Sequence, residues 1–141
     1  MGQSITPTKT TMTIEFDATP SGTNIDGVFG LSNGIAGSYS DLAAAVRFNT
    51  NGKIDARSGS TYKASTSISY VPNKSYRFRL YIDLKNHRYN AYVSSDGTNY
   101  QIIGKNLLFR TEQSYISLIN NFASIASVGY DSVCKIISTT P

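Results

Sequence analysis

At 141 residues, 40% of them hydrophobic, the chain has the length of one ordinary domain; a chain of this size buries roughly 68% of the surface it exposes when unfolded, so no disulfide scaffold is required. Cys134 is the one cysteine, which excludes an internal disulfide and a thiolate zinc cluster. Thirteen Lys and Arg against nine Asp and Glu give a formal charge of +4, which favours a polyanionic partner; no basic run, zinc-ligand spacing or groove-reading helix points to nucleic acid, and no apolar stretch approaches the roughly 18 residues of a membrane span.

Residues 1–10 read as an N-terminal tail, and Met1-Gly2-Gln3-Ser4 lacks the charged and apolar regions of a secretory leader. The first strong pattern is the alternation of Met12, Ile14 and Phe16 with Thr11, Thr13, Glu15 and Asp17, as a half-buried strand requires. Glu15 and Asp17 read there as a solvated face of an edge strand. Strands follow at residues 28–31, 42–48 and 53–57, separated by Gly-, Asn- and Ser-rich turns. Although Asp41-Leu42-Ala43-Ala44-Ala45 has helix propensity, it runs directly into Val46-Arg47-Phe48-Asn49 and reads as a strand of small residues.

The clearest alternation is in residues 76–84, where Tyr76, Phe78, Leu80, Ile82 and Leu84 face the core and Arg77, Arg79, Tyr81 and Asp83 face outward. A hairpin through Lys85-Asn86-His87 leads to residues 88–93, and Ser95-Asp96-Gly97-Thr98 turns the chain toward residues 100–103. Residues 116–123 and 128–137 supply the last strands. Ser138-Thr139-Thr140-Pro141 reads as the start of a linker, leaving 11–137 as the module. About ten short strands at even spacing make this all-β: a two-sheet antiparallel β-sandwich of jelly-roll, concanavalin-like or laminin-G-like type.

The residue inventory argues against an enzyme. A glycoside hydrolase needs two carboxyl groups on either side of a bond, and only Glu15 and Glu112 are glutamates. His87, the single histidine, reads as a surface turn residue and has no partner for a triad. What stands out is basic and planar. Arg47, Arg57, Arg77 and Arg79, with Asp55 and Tyr81, all point away from the core by alternation, and on neighbouring strands they would form one platform; guanidinium groups grip carboxylates with two hydrogen bonds and a tyrosine ring stacks on a sugar. Lys53 and Lys63 extend this surface from flanking turns. Of the ten tyrosines, Tyr76, Tyr89 and Tyr130 read as packing residues, whereas Tyr39, Tyr62 and Tyr81 are placed for ligand contact. The ligand-binding set is therefore Arg47, Lys53, Asp55, Arg57, Tyr62, Lys63, Arg77, Arg79 and Tyr81. No cofactor is required; Asp26 and Asp131, each beside turn residues, are the candidate ligands for a structural calcium ion.

The segments Thr23-Asn24-Ile25-Asp26-Gly27-Val28-Phe29-Gly30-Leu31-Ser32, Tyr39-Ser40-Asp41-Leu42-Ala43, Val46-Arg47-Phe48-Asn49, Ile54-Asp55-Ala56-Arg57, Tyr76-Arg77-Phe78-Arg79 and Phe109-Arg110-Thr111-Glu112-Gln113 follow in that order. Together they resemble the non-catalytic jelly-roll modules appended to secreted bacterial polysaccharide-degrading enzymes of the pectate-lyase type. The resemblance implies an extracellular carbohydrate-binding module, covalently joined to a catalytic domain such as a polysaccharide lyase and holding it on plant cell wall. The ligand it implies is acidic pectin, homogalacturonan, with Arg47, Arg57 and Arg79 in the binding role. Two alternatives remain at this level: a structural or adhesion module packing on a neighbouring domain, and a lectin-like domain for neutral glycans.

Overall fold

The alternation of Met12, Ile14, Phe16 and Ala18 with polar neighbours sends every second side chain to one side, and all four are buried. The computed structural model describes residues 2–126 and 132–140. Its strands are β1 (Gly2–Thr8), β2 (Thr11–Pro20), β3 (Gly27–Ser32), β4 (Ala44–Phe48), β5 (Ile54–Ser58), β6 (Thr61–Lys63), β7 (Tyr76–Asp83), β8 (Arg88–Ser94), β9 (Gln101–Leu108), β10 (Ile119–Ala126) and β11 (Ser132–Thr140). They form two antiparallel sheets, β1-β10-β3-β4-β5-β6 and β11-β2-β7-β8-β9, the two-sheet sandwich that the alternation implies.

Both ends of the module differ from expectation. Residues 2–8 are not a tail: they form β1 and pair with β10. Residues 138–140 belong to β11, with Thr139 opposite Ile14 and Thr140 opposite Thr13. In both places an adjacent strand edge satisfies backbone N–H and C=O groups, a gain that is independent of side-chain pattern.

The core between the sheets is aromatic at its centre. Phe16 of β2 stacks on Phe78 of β7 with ring centroids 5.2 Å apart, and Phe78 meets Phe48 of β4 across the sandwich at 5.6 Å. Tyr76 and Tyr89 are buried as expected, whereas Tyr130 lies outside the described residues. Tyr89 of β8 also ties the sheets together: its hydroxyl sits between the carbonyls of Ala45 and Arg57, on β4 and β5. Burial pushes this phenol well above its ordinary pKa, so the hydroxyl stays protonated and donates.

A second, smaller apolar cluster lies on the outside of the first sheet. Val28, Ala45 and Ala123 point outward there and are covered by Leu42, with Ala36 and Tyr39 packed alongside. A short 3-10 turn at Tyr39–Asp41 shapes this cover, and the Asp41 carboxylate accepts from the N–H groups of Gly37 and Ser38. Tyr39 therefore packs against the domain itself. The cover lies over β10, β3 and the Ala45 end of β4, away from β5 and β6.

Candidate functional site

Along β4 and β5 the apolar residues Val46, Phe48, Ile54 and Ala56 enter the core, so Arg47, Asp55 and Arg57 are forced outward. Pairing places Arg47 opposite Asp55 and Arg57 opposite Tyr62 of β6. The Arg47 guanidinium donates from Nε and Nη2 to the two Asp55 oxygens at 2.9 and 2.8 Å, and Asn49 Nδ2 adds a third donor at 3.1 Å. The same guanidinium lies over the Tyr62 ring, 3.6 Å from its centroid, and that of Arg57 lies at 5.1 Å. Burial works against the charge on Arg47, but the hydrogen bonds and charge of Asp55 outweigh it and hold its pKa above the ordinary value.

A third guanidinium reaches the same ring. Arg110 approaches the Tyr62 phenol from the segment after β9, and its Nε is buried without a hydrogen bond. Glu112 Oε1 stands 3.4 Å from that Nε, close enough for charge attraction but not aligned as an acceptor. Burial pushes the Tyr62 phenol up, with Arg47, Arg110 and Arg57 pulling against it. Arg110 was outside the binding set read from the sequence. The one signal was its place in the Phe109-Arg110-Thr111-Glu112-Gln113 motif, because the residue lies between β9 and β10, outside any strand, and shows no alternation.

Beside this cluster runs an open groove of about 360 Å³, whose walls include Lys53, Asp55, Tyr62 and Lys63. Its far wall is made by residues 64–69, which fold back along β5: the Ile54 N–H donates to the Ile68 carbonyl at 2.8 Å, and Lys53 forms a bridge with Ser69. Lys53 Nζ donates to Ser69 Oγ at 2.7 Å. Lys63 is exposed and forms no ion pair among the described residues. Ser65, Thr66 and Ser67 line the groove with hydroxyl groups, a polar contribution that reads as an ordinary loop in sequence. Six residues of the expected set thus converge, Arg47, Lys53, Asp55, Arg57, Tyr62 and Lys63, four cations against one carboxylate.

The other three do not join them, and the single platform expected from alternation is corrected. Arg77, Arg79 and Tyr81 lie on β7, in the second sheet, and face the opposite side of the sandwich. Arg77 donates from Nε and Nη2 to Asp17 at 2.8 and 3.1 Å. Arg79 donates to Glu15 and lies 4.1 Å from the Tyr100 ring centroid, while the Tyr100 hydroxyl donates to the same carboxylate at 3.0 Å. Glu15 and Asp17 are consequently not a solvated edge: β2 is flanked by β11 and β7, and the two carboxylates neutralise the two arginines. Tyr81 is 43% exposed beside them.

His87 is also more constrained than a surface turn residue. Its backbone takes φ 56°, its Nε2–H donates to the Ile116 carbonyl at 2.8 Å, and its ring meets Phe109 edge-on. Asp131 lies outside the described residues, so the calcium pair with Asp26 has only one member in view. Among the described residues no three His, Cys, Asp or Glu side chains converge as a metal site, and no helix is long and apolar enough to cross a membrane.

No family model matches the chain. It is 30% identical over 83 residues to a gellan lyase from Bacillus sp., a match that covers 57% of this chain and 3% of that enzyme. Among solved structures it superposes on part of a sialidase with a TM-score of 0.64 at 12% identity, covering 89% of this chain and 10% of that one. It superposes on a tetrameric galectin from the ball sponge Cinachyrella sp. with a TM-score of 0.51 at 12% identity, covering 99% and 96%. The chain thus spans a small fraction of the lyase and of the sialidase and nearly all of the galectin. The structural likenesses establish a shared sandwich fold.

Proposed function

We propose that this domain is a non-catalytic carbohydrate-binding module for a uronate-bearing polysaccharide, with its site in the groove beside the Arg47–Tyr62 cluster. One observation carries the reading: Lys53 and Lys63 flank an open, hydroxyl-lined groove next to guanidiniums already stacked on a tyrosine ring. Carboxylates of a polyuronate would meet the ammonium groups, and sugar hydroxyls would exchange hydrogen bonds with Ser65, Thr66 and Ser67. The overall +4 charge favours the same class of partner. The partial match to a gellan lyase and the fold shared with a galectin support a role with polysaccharide. Low-ester pectin is the first ligand to test, gellan the second.

In the full-length protein the module would be covalently linked to a polysaccharide-degrading domain and act outside the cell, keeping that domain at its polymer. Affinity electrophoresis tests the binding step directly. Retardation by low-ester homogalacturonan or gellan, weakening as salt rises, is the expected result. Migration unaffected by every acidic polymer would remove the proposal. Release of unsaturated or reducing ends by the isolated domain would overturn its non-catalytic part.

A further inference from the structure

Three hollows on the surface have lining residues in common. The groove of about 360 Å³ shares Ile68 with a middle hollow of about 190 Å³, which in turn shares Ser95 with a third of about 350 Å³. In that order the linings run from Lys53 and Lys63 beside the first sheet, through Lys74 and Gln101, to Asp17, Arg77 and Asp96 on the second. The two end hollows are each within the roughly 300–1,000 Å³ typical of ligand sites, and their succession along the surface suits an extended chain better than a single sugar.

The two ends differ in chemistry. At the first, Lys63 offers a cation without a carboxylate partner among the described residues. At the last, the lining carries two carboxylates, Asp17 and Asp96, against one guanidinium, already committed to Asp17 by two hydrogen bonds. Asp96 is held in place by Ser94 Oγ, the N–H groups of Thr98 and Asn99, and Asn99 Nδ2, and those donors keep it ionised. Gly97, at φ 80°, brings the turn close to Arg77: a Cβ there would stand 3.9 Å from Nη1. Fixed acceptors beside a fixed donor suit vicinal sugar hydroxyls, each of which donates once and accepts once, whereas a uronate would meet two like charges.

The geometry points to a single extended cleft that binds several consecutive sugars, with a uronate at the Lys53–Lys63 end and a neutral sugar at the Asp17–Arg77–Asp96 end. The ligand class is therefore a mixed acidic polysaccharide; the inference rests on the groove proposed above and extends it across the sandwich. The test compares three oligosaccharides by calorimetry and by backbone amide shifts: digalacturonate, tetragalacturonate, and the deacylated gellan repeat, which joins one uronate to neutral sugars. Digalacturonate is expected to move amides of residues 63–68 alone. The mixed tetrasaccharide is expected to move residues 63–68 and 94–97 together and to bind more tightly than tetragalacturonate.

Ser95→Trp, at the junction of the last two hollows, should lower affinity for the mixed tetrasaccharide about tenfold, the loss of a pair of hydrogen-bond contacts, and leave digalacturonate unchanged. Ser75→Trp blocks the far end from another exposed position and should act the same way; thermal unfolding verifies that both variants are folded. Shifts confined to residues 63–68 with the mixed ligand, equal binding of the two tetrasaccharides, or indifference to both tryptophans would each overturn the extended cleft while leaving the groove intact. Absence of any response to digalacturonate would sink the groove itself.

Discussion

Asp55→Asn separates the stability of the site from its affinity, because the two are expected to move in opposite directions. The Asp55 carboxylate accepts three hydrogen bonds, two from Arg47 and one from Asn49, with the Arg47 and Asp55 side chains only 25% and 11% exposed. An asparagine keeps one acceptor oxygen but turns an NH2 group toward the Arg47 donors. Hydrogen bonds to charged groups contribute about 1.5–3 kcal/mol each, and breaking a fully buried pair costs about 3–5 kcal/mol. With one acceptor retained and partial exposure, the expected loss is about 2–3 kcal/mol. At roughly 3 °C per kcal/mol for a domain of this length, Tm should fall by about 6–9 °C. The same change leaves Arg47 uncompensated beside the groove, and one added, partly screened cation should strengthen binding of low-ester pectin roughly twofold to fivefold. Thermal unfolding by circular dichroism reads the first effect and affinity electrophoresis the second. An unchanged Tm would refute the structural role of the ion pair. A loss of affinity in the folded variant would mean that Asp55 touches the ligand, and the electrostatic reasoning would fail.

Lys53→Ala and Lys63→Ala should each weaken acidic-polymer binding roughly threefold without altering Tm by more than about 1 °C, and the double variant should show a shallower salt dependence. Tyr81→Ala, on the opposite face, should leave retardation in low-ester homogalacturonan unchanged; a loss would move the site to the second sheet. Tyr89→Phe removes the hydroxyl between the Ala45 and Arg57 carbonyls and should cost about 1–3 kcal/mol in denaturant unfolding, with the slope m unchanged. Asp96 has its pKa depressed in the folded state, so it adds stability above the ordinary carboxylate range, about pH 4, and that contribution declines as pH falls toward the folded-state value. Asp96→Asn should therefore be less stable than the parent at neutral pH and approach it in acid; a difference independent of pH would contradict the assignment.

Much of the fold was legible because its signal is local. Alternation at Met12–Phe16 and Tyr76–Leu84 tells which side chains are buried without any knowledge of which strands are neighbours, and it sends Phe16 and Phe78 into the core. The tail and linker readings failed at β1 and β11 for the complementary reason: those segments gain order from backbone pairing with β10 and β2. The cover over Val28, Ala45 and Ala123 was missed as well: Leu42 reads as part of a strand at 42–48, whereas β4 begins at Ala44 and Leu42 precedes it, packed on the outer face.

For the site, the sequence by itself determined that Arg47, Asp55 and Arg57 face away from the core, as do Arg77, Arg79 and Tyr81, because a period of two assigns a face along each strand. Which outward residues meet was decided by tertiary structure alone. Arg77 finds Asp17 from 60 positions away and Arg79 finds Glu15 from 64, so both are neutralised on the second sheet, while Arg47, Arg57 and the distant Arg110 gather around Tyr62 on the first. Strand order depends on closing long loops to make non-local pairs, and nothing in a local pattern of apolar and polar residues encodes that choice.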